Sequence, residues 1–412
     1  MNKIRGFLSS VGTMSALSSV MAVLIGLIAG FIILLISDSA NAVAGLVTIL
    51  TGGFSDMFNT GMVLHYATPI ILTGLSVGFA MKTGLFNIGA SGQFTFGMYA
   101  SILAGIHLDS LPPLVRCGAG LLAGILAGAI WGSIPGMLKA LRNVHEVISC
   151  IMMNYIGMYV VNYLIRETGI YDSTRNMTVR VPAEANLPTL GLNDVFSTVN
   201  EHGGIRASSV GSGIIIAIAL CIIIYIVLEK TKFGYELKSC GFNHEAARYA
   251  GINEKKGVIL SMTIAGALAG LGGALIALSG AGRGIAVVDI LAGEGFQGIP
   301  IALLGLSNPI GIMFSGTLIA YFTQSGFLLQ RHGFAPEIIE IIVAVIIYFS
   351  ALALLLKGAI QFFLRDRKES IQGDAETISD GEDDSGINED VDSSFEDDEP
   401  PDEKTSSEGG AL

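Results

Sequence analysis

Residues 17–36 form a run of twenty residues without a charged side chain. A stretch of about 20 apolar residues crosses the ~30 Å hydrocarbon core of a bilayer as a helix. Inside lipid a helix satisfies all of its own backbone N–H and C=O groups. The run follows Lys3 and Arg5 and so carries the flank of a secretion signal. It is longer than a signal core, however, and has no clear small-x-small cleavage site before more spans begin, so it reads as a retained anchor. Further apolar segments follow at 62–81, 89–106, 117–137, 147–165, 210–228, 258–279, 296–305, 309–324 and 338–356. The expected fold class is therefore an all-α integral membrane protein with about ten transmembrane helices. The eighth segment, 296–305, has an apolar core of only about ten residues. A re-entrant half helix there would reverse the parity of everything after it.

Charge places the segments relative to the two sides of the membrane. Charged residues make up 14% of the chain, against about 25% in soluble domains. The net charge of -12 comes from one end. Residues 369–412 hold 17 acidic residues and a single basic one, Lys404, whereas the other 368 residues hold 22 Lys/Arg and 18 Asp/Glu. With ten crossings and the N-terminus inside, 15 of those 22 cations fall on inner segments, as the positive-inside rule requires. Four of the remaining seven lie in one long outer loop, where the rule is weak. The expected organisation is a cytoplasmic N-terminus (1–16), a transmembrane domain (17–364) and a cytoplasmic acidic tail (365–412). The domain includes a long extracellular loop (166–208) and a cytoplasmic loop (229–257). The tail is too poor in apolar residues to bury a core and reads as disordered. Cys117, Cys150, Cys221 and Cys240 fall in spans or on the inner side, where no extracellular disulfide forms.

Enzyme signatures fail one by one. His145-Glu146 and His244-Glu245 each begin a zincin-like pair, but Ser149 and Arg248 occupy the positions where the second histidine ligand is needed. The stretch from Gly293 to Gly298 matches G-x-G-x-x-G, yet no strand precedes it and no βαβ unit surrounds it. No P-loop occurs, so ATP-driven work requires a partner. Nothing points to a catalytic residue, metal, cofactor or nucleic-acid partner. Gly120, Gly124, Gly128 and Gly132 repeat every four residues along one helix face, and Gly26/Gly30 and Gly266/Gly270 repeat the spacing. Such stripes let helices approach closely in lipid.

Polar side chains inside spans are costly and often functional. Asn87 and Gln93 stand at the start of the third span, and Asn154 and Asn162 lie in the fifth. Amides both donate and accept hydrogen bonds, so they can line a pathway for a neutral polar solute or bond helix to helix. No buried Asp/Glu/His chain accompanies them; His65 and Asp289 are isolated. In the inner loop, Asn243 can cap a short helix of Glu245, Ala246, Ala247 and Arg248, with Tyr249 following and Gly251 ending it. On physical grounds that helix is either a connector or a docking element.

Several motifs occur in fixed order. Residues 84–93 read GLFNIGASGQ, 143–148 NVHEVI, 153–156 MNYI and 245–252 EAARYAGI. Together they resemble the permease subunits of bacterial ATP-binding-cassette (ABC) importers for nucleosides, within the wider group of ribose, galactose and branched-chain amino-acid permeases. Ser91 departs from the acidic residue of many relatives, and the acidic tail is not a family feature.

The resemblance implies a multi-pass permease of the bacterial plasma membrane that forms the translocation pathway. Its implied partners are an ABC ATPase subunit, a second homologous permease in a heterodimer, and an extracellular substrate-binding lipoprotein. It also implies that Asn87, Gln93 and Asn154 line the substrate pathway, and that Asn243, Glu245, Ala246, Ala247, Arg248, Tyr249 and Gly251 form the coupling helix that docks in the ATPase. The alternatives are a permease for simple sugars such as ribose, and a gradient-driven secondary transporter, which the missing intramembrane acids disfavour.

Overall fold

Thirteen helices account for the apolar runs in the computed structural model, which describes residues 11–199 and 203–351. They are α1 Val11–Ser37, α2 Ala42–Thr51, α3 Met57–Lys82, α4 Ala90–His107, α5 Pro113–Arg142, α6 Glu146–Glu167 and α7 Gly213–Lys230. Then come α8 Lys232–Phe242, α9 His244–Tyr249, α10 Glu254–Ala277, α11 Gly293–Leu304, α12 Pro309–Leu329 and α13 Pro336–Ala351. Among the described residues, α1, α3, α5, α6, α7, α10 and α12 are long and apolar enough to cross a membrane. The expected tail, 365–412, lies outside the described residues, as do residues 1–10 of the expected N-terminal segment. Helix α2 was not foreseen: its apolar run is ten residues long, too short to register as a span.

Polar residues between the runs set the helix ends. Asp56 caps α3 by accepting the Asn59 N–H at 2.7 Å, and Asn253 caps α10 through the Lys256 N–H at 3.1 Å. Asn308 accepts from Ile310 at 2.9 Å, with Pro309 in the first position of α12, where no N–H is needed. Arg116 is buried at the start of α5, and its guanidinium donates to the carbonyls of Gly105 and Ile106 at 2.8 and 3.1 Å. It thus satisfies the open carbonyl end of α4.

Helices α3 and α10 are 83% and 72% buried over their most apolar windows, whereas α1, α5, α6 and α7 are 22–39% buried. The first pair forms the centre and the others the rim. The glycine stripes explain how they meet. A Cβ at Gly128 would strike backbone atoms of Gly266 and Gly270, and one at Gly132 would strike the Met262 carbonyl and Gly266. Helices α5 and α10 therefore touch backbone to backbone. Gly26 of α1 approaches the Ile346 backbone of α13, and Gly30 meets the Ile342 and Ile346 side chains.

The stretch from α10 to α12 is the least regular. The C-terminal end of α10 lies with the C-terminal end of α4: the Leu278 carbonyl accepts the Leu187 N–H at 2.8 Å, and Gly105 is its neighbour. The start of α12 lies at the opposite end of the bundle, where Ser307 bonds to Met81 near the C-terminus of α3 and Ile312 packs on Gly78. A non-helical segment, 279–292, and then α11 make the traverse. Twelve residues of helix span about 18 Å, roughly half of the hydrocarbon core. The short eighth segment is thus a half-length helix, with irregular chain supplying the other half of the traverse.

The expected outer loop, 166–208, folds into two small antiparallel hairpins. Tyr171–Asp172 pairs with Met177–Thr178, and Ser197–Val199 with Ile205–Ala207. The first also clasps the irregular segment: Thr178 donates to the Ile285 carbonyl at 3.0 Å, and Val287 donates to that of Asn176 at 2.9 Å.

Candidate functional site

The three amides singled out in the sequence come together, but bonded to each other and to backbone. Asn87 donates to the Gln93 side-chain oxygen at 2.7 Å and Gln93 donates back at 3.0 Å. Asn87 also donates to Ser76, whose hydroxyl bonds to the Ala265 carbonyl. Asn154 accepts the Gly92 N–H at 2.8 Å and donates to the Ile88 carbonyl at 3.0 Å. All three are at most 1% exposed. The knot ties α3, α4, α6 and α10 together through the turn between α3 and α4. Asn87→Ala would leave the Gln93 amide buried without its partner, at a cost of about 1–3 kcal/mol. The melting midpoint of the detergent-extracted chain should fall accordingly; an unchanged midpoint would show that the pair holds nothing.

Beside the knot, toward the C-terminus of α4, lies a cavity of about 430 Å3, within the ~300–1,000 Å3 typical of small-molecule sites. Its apolar wall includes Phe94 and Met98 of α4, Met158 of α6 and Ile276 of α10. Its polar groups include Thr95, Asn162, Arg283 and Glu294. Arg283 Nη1 lies 3.0 Å from Glu294 Oε1, and the guanidinium stands 5.8 Å from the Tyr66 ring centroid. Asn162 donates to the Val288 carbonyl at 3.0 Å and to Asp289 at 3.3 Å. The irregular segment is therefore one wall of the cavity, pinned by side chains. Both members of the ion pair are partly exposed, and such pairs contribute about 0–1 kcal/mol, so the ion pair itself adds little to holding this wall.

Two of the three glycines of the apparent dinucleotide motif have a packing explanation. A Cβ at Gly295 would strike the backbone of Ser91, and one at Gly298 would strike that of Thr73. They let α11 lie flush on α4 and α3. Ser91 and Thr73 hold its start by donating to the carbonyls of Ala292 and Glu294, at 2.9 and 2.8 Å. The sequence reading did not assign Arg283 or Glu294 to a site. The available signal was a polar, glycine-rich stretch, 279–292, leading into a run too short to span.

At the other end of the molecule, α8 and α9 stand between α7 and α10 with Asn243 at their junction. The Asn243 carbonyl accepts the Ala247 N–H at 3.0 Å. Gly251 adopts φ +77 and closes α9: its N–H bonds to the Arg248 carbonyl at 3.0 Å, and the Ile252 N–H to that of Ala247 at 3.0 Å. A left-handed residue is required there, which favours glycine. Glu245 and Arg248 are exposed, as are Phe242 and Tyr249, while Ala247 faces inward. Ala246 lies between them in the chain. Backbone of Gly241, at the end of α8, rests directly on Gly84, in the turn that precedes Asn87.

A family description, the branched-chain amino acid transport system / permease component, matches residues 59–351. The chain belongs to that family. The match runs from α3 to α13 and takes in the knot, the cavity and the α8–α9 segment, leaving α1 and α2 outside. The guanosine ABC transporter permease protein NupP of Bacillus subtilis is 34% identical over 331 residues, which is 80% of this chain and 91% of that protein. The nucleoside ABC transporter permease protein NupB of Lactococcus lactis is 34% identical over 352 residues, 84% of this chain and 93% of that protein. The glucose ABC transporter permease protein TsgB13 of Haloferax volcanii is 31% identical over 299 residues, 72% of this chain and 76% of that protein. No solved structure matches the chain. As a permease of this family with several spanning-length apolar helices, it is a multi-pass plasma-membrane protein.

Proposed function

We propose that this permease forms the translocation pathway of an ABC importer for nucleosides. The observation that carries the solute class is the 34% identity to two permeases named for guanosine and nucleosides, across more than nine-tenths of each. The cavity fits that class: it is large enough, mostly apolar, and provided with a few polar groups on one wall.

The chain crosses the membrane ten times with both termini in the cytoplasm, and the 279–292 segment with α11 counts as the eighth crossing. This reading is supported by the opposite placement of the α10 end and the α12 start. Residues 17–364 form the transport body, and the tail from 365 lies outside it. Two ATPase domains supply the driving force, a second permease chain completes the pathway, and a lipid-anchored binding protein delivers the solute to the outer side. Asn87, Gln93 and Asn154 belong to the inner closure of the pathway, and the solute passes them once α3, α4 and α6 move apart. The α9 segment with its flanking residues docks in the ATPase.

Competition decides the solute. In cells carrying the full importer, unlabelled nucleosides should displace labelled nucleoside uptake, while glucose and ribose should not. Truncation after Lys368 should leave that pattern unchanged. Displacement by sugars alone would transfer the assignment to the glucose permease class; uptake that needs no ATPase and stops when the ion gradient collapses would remove it from ABC transport.

A further inference from the structure

We infer that Glu294 reads the ribose of the solute, its carboxylate accepting the two hydroxyls of a vicinal diol while the apolar wall holds the base. This inference rests on the nucleoside reading above and assigns the chemistry within the cavity.

The assignment follows from which wall group can accept a pair of hydroxyls: a guanidinium only donates, an amide has one acceptor oxygen, and a carboxylate has two. Asn87, Gln93 and Asn154 are buried and occupied by one another and by backbone. Of the polar groups on the cavity wall, the Thr95 hydroxyl donates to the Ser91 carbonyl at 2.8 Å. The Asn162 amide nitrogen is taken by Val288 and Asp289. Arg283 directs one nitrogen at Glu294 Oε1 and presents its plane to Tyr66. Glu294 Oε2 has no protein hydrogen bond among the described residues. An ionised carboxylate accepts at about four lone-pair positions on two oxygens and donates nothing, so one contact to Arg283 leaves most of its capacity open. Two neighbouring hydroxyls that only need acceptors match it. Arg283 orients the carboxylate, and hydrogen bonds to a charged group are the stronger kind.

The opposite wall separates a nucleoside from a free sugar. Phe94, Met98 and Met158, each at most 8% exposed, line it with apolar carbon and polarizable sulfur. A purine or pyrimidine can lie flat against such a surface. A hexose carries hydroxyls around its whole ring, and a cavity with so few polar groups would leave several of them without partners, which is costly out of water. The diol alone suits both solutes; the combination of one carboxylate and one apolar wall suits the nucleoside.

The test uses the complete importer in cells and two labelled solutes, adenosine and its analogue lacking both secondary ribose hydroxyls. Glu294→Gln keeps size and an acceptor for Arg283 but presents a donor in place of the second oxygen. Adenosine uptake per inserted protein should fall about tenfold or more, with uptake of the analogue held within about twofold. Because the same binding protein serves wild type and variant, its own preference cancels in this ratio. Glu294→Asp, which keeps both oxygens one carbon short, should fall between the two. Equal loss of both solutes, or no loss of either, in both variants overturns the assignment. If Glu294→Gln fails to accumulate, the Glu294→Asp ratio decides by the same criterion. Wild-type cells that take up glucose but neither nucleoside overturn the functional reading and this inference together. Wild-type cells that take up adenosine while the variants treat both solutes alike overturn only the role of Glu294.

Discussion

Gly128→Leu should remove nearly all uptake-competent protein from the membrane. Its Cβ would enter the space held by the Gly266 carbonyl and the Gly270 backbone, and no rotamer change can move a helix backbone aside. Overpacking with a yielding neighbour costs about 1–3 kcal/mol and occasionally more; here α5 and α10 must separate along their length, so the cost lies at or above the upper end. Those two helices also position Gln93 and the back of the cavity. The control sits on the same helix: a Cβ at Gly118 would meet no atom within 4 Å, and Gly118→Leu should behave as wild type. Membrane abundance and uptake, measured for both variants, check the difference. Equal behaviour of the two would mean that the stripe does not set the packing.

Arg248→Glu should stop uptake without disturbing insertion. The residue is exposed on α9, so its side chain supports no core, and surface changes away from packed features alter stability by about 0.5 kcal/mol or less. If α9 docks in the ATPase, reversing the charge sets a like charge or an unpaired one in that contact. Losing one buried, hydrogen-bonded charge pair at an interface costs about 2–5 kcal/mol, enough to separate the subunits on purification. The measurements are membrane level, uptake and co-purification of the ATPase. Normal uptake with the ATPase still bound would sink the coupling assignment.

The long elements were legible because lipid imposes a single rule on them. An uncharged run of about 20 residues has few alternatives to a helix, and the glycine spacing foretold close helix approach, though not that α5 and α10 are the pair, because a stripe of missing side chains serves little purpose unless a backbone fills it. Short elements were not legible. Helix α2 is ten residues long, and α11, whose apolar run 296–305 the sequence does show, runs the length of the bundle only together with 279–292, whose polarity reads locally as a loop. The site was half legible for a related reason. Sequence marked Asn87, Gln93 and Asn154 as polar groups in spans, but a single chain does not say whether an amide faces a solute or another amide. The reciprocal 2.7 and 3.0 Å bonds between Asn87 and Gln93 arise across a turn that periodicity leaves undefined. Arg283 and Glu294 lie eleven residues apart with irregular chain between them, so nothing in their spacing announces a pair.

If α9 docks in the ATPase, the contact between Gly84 and Gly241 bears on how a stroke is delivered. Most helix junctions meet through side chains, which can swing between rotamers and absorb a small displacement as play. Here two bare peptide chains abut, and Gly84 at φ +75 already holds a conformation that other residues rarely adopt. A shift of α8 therefore has no compliant layer to spend itself in, and passes into the 83–89 turn with little backlash. Three residues further on that turn carries Asn87. A side chain at either glycine would insert a spring into the linkage: the cavity and the ATPase contact could each remain intact while nucleotide turnover came loose from movement of the solute.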